Sequence, residues 1–408
     1  MKFSRERLSL LIYLLPAVAD MVVAQFMFIN AIRLSQQGAS AVVVANTVTT
    51  WSLVYLASCL ILGRLVTKAN AARLMIASMG GLALISFLFT VIPGVAGIYV
   101  LMALAGIATA LFFLPFQAFM KAVDGTHNKP ITYSTGLYTF AWSMGFALGP
   151  FISGLLMEFG TPTPGGESSG WKTACYFAST LSTLTGIAIY FLRDLVRSPQ
   201  TVPSRLIETS PPPTASPPVD YSQQPDLAWL GWASAGVGVI ALTFVRAIFP
   251  VRGETYLHLT QSFQGLLFFL VSAAQGVTGL TLCRSRYWMY RPAAVVAFGC
   301  LGIAGALVFG FGQSPLLLCA GAILFGIYTG SFFFYLVFHA LIHPVRSAQY
   351  VAINESVVGI CSMLGAVLGG FMADRFGFGV LYASGATLIL MVLILQRFVH
   401  HRHPLEKT

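Results

Sequence analysis

Asp20 stands among apolar residues, twelve positions beyond Leu8, where a long apolar run begins. At 1.5 Å of rise per helical residue it lies about 18 Å into a membrane, near the midplane of a hydrocarbon core ~30 Å thick. An ionisable group at that depth is costly and marks a functional position by default. Glu355 is a second such acid, eight residues beyond Ser347 and so about 12 Å deep, with Asn354 immediately before it. Burial disfavours the charged form of a carboxyl, so either acid can take up a proton reversibly. Two such acids, one in each half of the chain, are what exchange of a solute for protons needs. The competing reading is a structural carboxyl, hydrogen-bonded to a neighbouring helix.

Other polar groups in the apolar runs carry less. Arg246 lies late in the seventh run, about 27 Å from its start, and reads as a side chain snorkelling to the outer interface. His339 closes the tenth run and reads as structural, with a role in coupling as the alternative. Asn46, with Thr47, Thr49 and Thr50 around it, sits on the second run; Gln261, Ser262 and Gln264 sit on the eighth. Such groups stitch helices together or line a wet passage. Asp374 and Arg375 read as a loop cap on the outer side. His400, His401 and His403 read as a solvated tail rather than a metal site. The candidates for solute or proton binding are therefore Asp20, Glu355, Asn354, Asn46 and His339.

The elements that position these residues are transmembrane helices. Of the 408 residues, 57% are hydrophobic and 9% charged, and the mean hydropathy is +0.79. A soluble domain carries about 25% charged residues; lipid is the solvent that tolerates a surface with so few. Twelve apolar stretches follow: 8–32, 40–62, 72–92, 96–119, 132–157 and 172–192, then 228–250, 257–282, 292–311, 315–340, 347–372 and 379–397. The first is too long for a signal-peptide core and reads as a retained span. Between the sixes, 193–227 holds Pro211, Pro212, Pro213, Pro217 and Pro218 and reads as a flexible linker.

With the N-terminus inside, 18 of the 23 Lys and Arg residues fall on the cytoplasmic side and 5 on the other. That bias places both termini and the linker in the cytoplasm. The net charge of +10 thus reads as topology rather than as a nucleic-acid surface. The six cysteines form no CxxC pair and read as small buried hydrophobes.

The halves resemble each other. Residues 106–113 read GIATALFF and residues 326–333 read GIYTGSFF, five matches in eight at an offset of 220. At an offset of 216, Gly149, Gly154 and Glu158 align with Gly365, Gly370 and Asp374, and Gly63 and Lys68 align with Gly279 and Arg284. A duplicated six-helix unit, its copies related by an axis along the membrane normal, places a solute site between them.

On these features the chain resembles the major facilitator superfamily. The fifth run carries Gly136, eight residues, Gly145, three residues, Gly149-Pro150, two residues, then Ser153-Gly154, which is the glycine-proline spacing of that superfamily's exporters with Ser at one usual Gly. Gly170-Trp171-Lys172 resembles the family's GWR start of the sixth helix, and also suits an interfacial aromatic anchor. Residues 63–73 are a degenerate copy of the family's G-x-L-x-D-R-x-G-R-K loop, with Thr67 in place of the acid and Asn70 in place of the second Gly. Met102 stands where proton-coupled members often carry Arg.

The resemblance implies an all-α membrane protein of twelve transmembrane helices in two six-helix repeats, 1–192 and 228–397, joined by the cytoplasmic linker 193–227 and followed by a tail at 398–408. It implies a monomeric secondary transporter of the plasma or inner membrane, exporting a small solute, with a lipophilic one among the options, by proton antiport with alternating access. The expected partners are that solute, protons and lipid, with no cofactor and no nucleic acid. The degenerate loop and the missing Arg leave two alternatives open, a non-transporting assembly or sensor factor on the same fold and an uncoupled uniporter. No P-loop, HExxH or GxSxG pattern occurs, which leaves ATP-driven transport and a membrane-embedded enzyme without a catalytic constellation.

Overall fold

The computed structural model describes residues 12–63, 65–67, 69–92, 94–123, 131–159, 169–197, 228–284, 288, 291–341 and 347–402. Among them there is no strand, and eleven helices are long and apolar enough to cross a membrane. In lipid each backbone N–H and C=O must be satisfied within the protein, which leaves the helix as the way for an apolar run to span. The helices are α1 (Leu14–Gln36), α2 (Ala41–Leu62), α3 (Ala71–Leu88), α4 (Val95–Val123), α5 (Ile131–Glu158) and α6 (Gly170–Arg197). They continue with α7 (Ala228–Thr255), α8 (Gln261–Arg284), α9 (Pro292–Phe311), α10 (Pro315–Leu341) and α11 (Ser347–Arg402).

α1, α4 and α6 end four or five residues later than the sequence reading, at Gln36, Val123 and Arg197, and two further helices differ in more than that. α7 runs to Thr255 rather than residue 250, and it contains a π-helical turn at Phe244–Ile248. α11 has 56 residues and takes in the whole of 347–372 and 379–397. The connection expected between those runs is a single break at Gly377 (φ 83°, ψ 168°), a left-handed backbone conformation that only glycine adopts freely. The Pro-rich stretch from residue 198 lies outside the described residues. So do many of the cations behind the orientation argument, including Lys2, Arg5, Arg7, Arg64, Lys68, Lys129 and Arg205. His403 and the side chains of His400 and His401 lie outside them too.

The halves meet where α5 packs on α8, where α2 packs on α11 and where α1 packs on α7. Glycines set the closeness of the first two contacts. A Cβ on Gly154 would strike the Gln261 carbonyl of α8, and one on Gly370 would lie 2.9 Å from Val42 Cα of α2. The acids four residues further on cap the same helices. Glu158 accepts from the Ser262 backbone N–H at 3.1 Å, and Asp374 accepts from Ala41 N–H at 2.9 Å and Val42 N–H at 3.0 Å. A carboxylate at a helix N-terminus satisfies free amides and opposes the positive end of the helix dipole. The pairing of Glu158 with Asp374 read from the sequence is thus a pairing of position and of task. Asp374 does act as a cap, but it caps α2 in the other half rather than its own loop. Asp374→Ala is expected to cost about 1 kcal/mol, read as a lower melting temperature in detergent.

The second aligned pair behaves alike. A Cβ on Gly106 of α4 would lie 2.7 Å from the Trp51 carbonyl of α2, and one on Gly326 of α10 would strike the Val271 carbonyl of α8. In the degenerate loop, the Thr67 N–H donates to Asn70 Oδ1 at 2.7 Å and the Asn70 N–H donates to Thr67 Oγ1 at 3.3 Å. These reciprocal bonds close the turn that leads into α3, and they use Thr67 and Asn70, the two residues that depart from the loop pattern. The cysteine expectation holds for Cys59 and Cys175, which are buried; Cys300 is exposed on α9 instead.

Candidate functional site

α1 is buried on all sides along most of its length, and Asp20 in it is 6% exposed. It faces two charged groups across the interior, Arg246 from α7 and Glu355 from α11. Arg246 was expected at the outer interface, and the structure places it elsewhere for two reasons. The helix continues nine residues beyond it to Thr255, so it sits about 14 Å from that end rather than close to it. It also lies inside the π-helical turn, which adds a residue to the helical repeat and turns side chains locally. The guanidinium carbon stands 4.1 Å from the Phe146 ring centroid. One terminal nitrogen, Nη2, is buried without a hydrogen-bond partner.

Glu355 is tied to the first half of the chain. The Tyr55 hydroxyl of α2 donates to Glu355 Oε2 at 3.2 Å. The Tyr55 ring stacks on Trp51 at 5.1 Å, and Trp51 Nε1 donates to Thr109 Oγ1 of α4 at 3.3 Å. α2, α4 and α11 are thus linked through one chain of polar and aromatic contacts that ends on the acid.

The remaining candidates are not brought to Asp20. Asn354 is buried and engaged at both ends of its amide: Oδ1 accepts from Trp232 Nε1 at 2.8 Å, and Nδ2 donates to the Leu336 carbonyl at 3.1 Å. It joins α11 to α7 and α10. The Asn46 side chain meets the hydroxyl of Tyr99 in α4, which also donates to the Val43 carbonyl at 3.0 Å. His339 packs beside Tyr335 and Phe338, in a satellite cluster centred on Trp288. At Met102, Asn30 of α1 donates to the thioether sulfur at 3.4 Å, so a neutral contact occupies the position of the family's Arg.

Three features escaped the sequence reading. Arg252 is 6% exposed and donates to the carbonyls of Phe309 at 2.6 Å and Gly312 at 2.9 Å, closing the C-terminal end of α9. Replacing it by Met is expected to cost about 1–3 kcal/mol, because buried carbonyls lose their donors; a denaturation midpoint measures this. Secondly, Gln36 Nε2 of α1 and Gln264 Nε2 of α8 both donate to Glu254 of α7, at 3.3 and 2.8 Å. Thirdly, Gln25 on α1 is fully buried with neither amide atom hydrogen-bonded. The signal that could have found Arg246 is electrostatic: an Arg and two acids inside apolar runs cannot each be buried alone.

A family model described as Major Facilitator Superfamily matches residues 12–253. No curated protein matches the chain. Among solved structures, the chain is similar to the crystal structure of the human organic anion transporter MFSD10 (TETRAN), with a TM-score of 0.65. That match has 13% sequence identity and covers 97% of this chain and 100% of the other. At such identity the likeness is one of fold.

Proposed function

Starting from a chain that belongs to the Major Facilitator Superfamily, a family of multi-pass membrane transporters, we propose a proton-coupled secondary transporter that moves a small solute by alternating access. The observation that carries this reading is Asp20, nearly sealed in the interior and facing Arg246 and Glu355 from the other half. A carboxyl so placed can hold a proton in one arrangement of the halves and lose it in the other. Twelve crossings are the finer reading of the fold. They follow from dividing α11 at Gly377, since 56 helical residues span about 84 Å, far more than one bilayer. The units are then 1–192 and 228–397, with the linker at 193–227, the tail at 398–408, and both termini on the cytoplasmic face of a plasma or inner membrane.

Alternating access requires links that break. Glu158 with Ser262, Asp374 with Ala41 and Val42, and Gln36 with Glu254 lie at helix ends that this topology places on the outer face. All three join one half to the other, so opening to the outside costs these contacts.

Export by proton exchange is supported by the fifth-helix spacing of Gly136, Gly145, Gly149, Pro150 and Gly154. A second reading, proton and solute moving in the same direction, is favoured by Arg246 facing Asp20. Membrane vesicles loaded with a pH-sensitive dye test the shared claim. Some member of a broad solute panel is expected to move protons in the wild type and to fail in Asp20→Asn and Glu355→Gln. Solute flux that carries no protons would make the chain a uniporter, and no flux at all would favour an assembly or sensor factor.

A further inference from the structure

We infer that the central site takes a small organic anion with an apolar body, its charge held by Arg246 and its rings or chain lying against Phe146 and Trp142, and that this anion loads together with a proton on Asp20. The inference rests on the transporter reading of this site.

The guanidinium is charged at any working pH, and a buried cation must be paired. Its buried Nη2 makes no hydrogen bond, so the site holds an unspent donor beside a positive charge. Planar guanidinium groups bind carboxylates, sulfonates and phosphates through parallel N–H donors. A cationic solute would meet repulsion in the same place. The apolar wall is built on one face of α5: Trp142 and Phe146 are four residues apart, and Trp142 meets Phe333 of α10 edge-on at 4.9 Å. Trp142, Phe146, Arg246 and Glu355 all keep part of their surface accessible, as residues facing a solute would.

The coupling sense follows from charge. The ionised Asp20 competes with an incoming anion for Arg246. A proton on Asp20 removes that competitor, so proton and anion each strengthen the binding of the other, by equal factors. The charged groups facing Asp20 from the packed elements are Arg246 and Glu355. Tyr55 and Cys59 of α2 face Glu355 in turn. Protonation of Glu355 acts in the same direction, since it too removes a negative charge near the anion.

Equilibrium dialysis of the purified full-length chain tests this with benzoate, benzenesulfonate and phenyl phosphate as anionic probes and benzylammonium as the cation. At least one anion is expected to bind, more tightly at lower pH, approaching about tenfold per pH unit for one linked proton. Arg246→Gln should abolish that binding and Arg246→Lys should weaken it. Asp20→Asn should make the pH dependence of anion binding shallower, leaving the part that Glu355 contributes. The wild-type pH slope needs no variant to fold. Binding of benzylammonium but of no anion overturns the inference, as does anion binding that persists in Arg246→Gln or that tightens with rising pH. So does binding of none of the probes. Each of those results leaves the transporter reading standing on its own test, because the vesicle panel reads proton movement by any solute.

Discussion

Asp20→Asn is expected to lower proton-coupled solute flux on the order of 100-fold, the upper range of a coupling free energy of about 3 kcal/mol. The amide keeps the size of the side chain and removes both the charge and the titration. It also leaves Arg246 with one facing acid fewer, and a buried charge stripped of its partner destabilises a fold. The variant is therefore expected to melt earlier as well as to stop coupling. Adding Arg246→Gln should recover much of the thermal stability, because both charges are then gone, but none of the coupled flux. Recovery of stability without flux separates a functional charge pair from a structural one. Flux of wild-type size in the single variant would remove Asp20 from the mechanism.

Gly145→Val carries the second large effect. A Cβ at Gly145 would strike the Ala17 carbonyl of α1 and stand 2.9 Å from the Met21 backbone nitrogen. At Gly149 the obstacle is the Met21 carbonyl. α5 and α1 therefore touch backbone to backbone, which small residues alone permit. Neither obstacle is a flexible side chain, so a helix has to move. The expected cost is about 3 kcal/mol or more, together with loss of transport, since α1 carries Asp20. Gly80→Ala is the contrast: nothing lies within 4 Å of a Cβ built there. That change in α3 should be neutral or should stabilise the helix by up to about 1 kcal/mol. Melting curves of the two variants in one detergent make the comparison.

The positions of the spans were legible because lipid demands long apolar runs, and the fifth-helix glycines were legible because close packing demands small residues at fixed intervals. Asp20 and Glu355 stood out for the same reason as any acid in an apolar run, and they face each other in the fold. Arg246 was misplaced because the run holding it was ended at residue 250, five residues short of the helix's end at Thr255, and a π-turn has no reliable apolar signature. Arg252 looked like one more cation beyond a span, whereas its partners are backbone carbonyls of α9, which no side-chain pattern reveals. Asn354 and His339 are polar in sequence, yet their surroundings are a hydrogen-bonded junction and an aromatic cluster. The boundary inside α11 was legible as two apolar runs, but its form, a single left-handed glycine, needed the backbone.

In the proposed mechanism, protons cross this membrane with a solute through Asp20. Purified protein reconstituted into liposomes holding a pH-sensitive dye gives the most direct test, with organic anions and cations added outside in turn. A dye response to at least one solute is expected with the wild type and none with Asp20→Asn. A response of equal size from both proteins, or solute entry with no response from either, would contradict it.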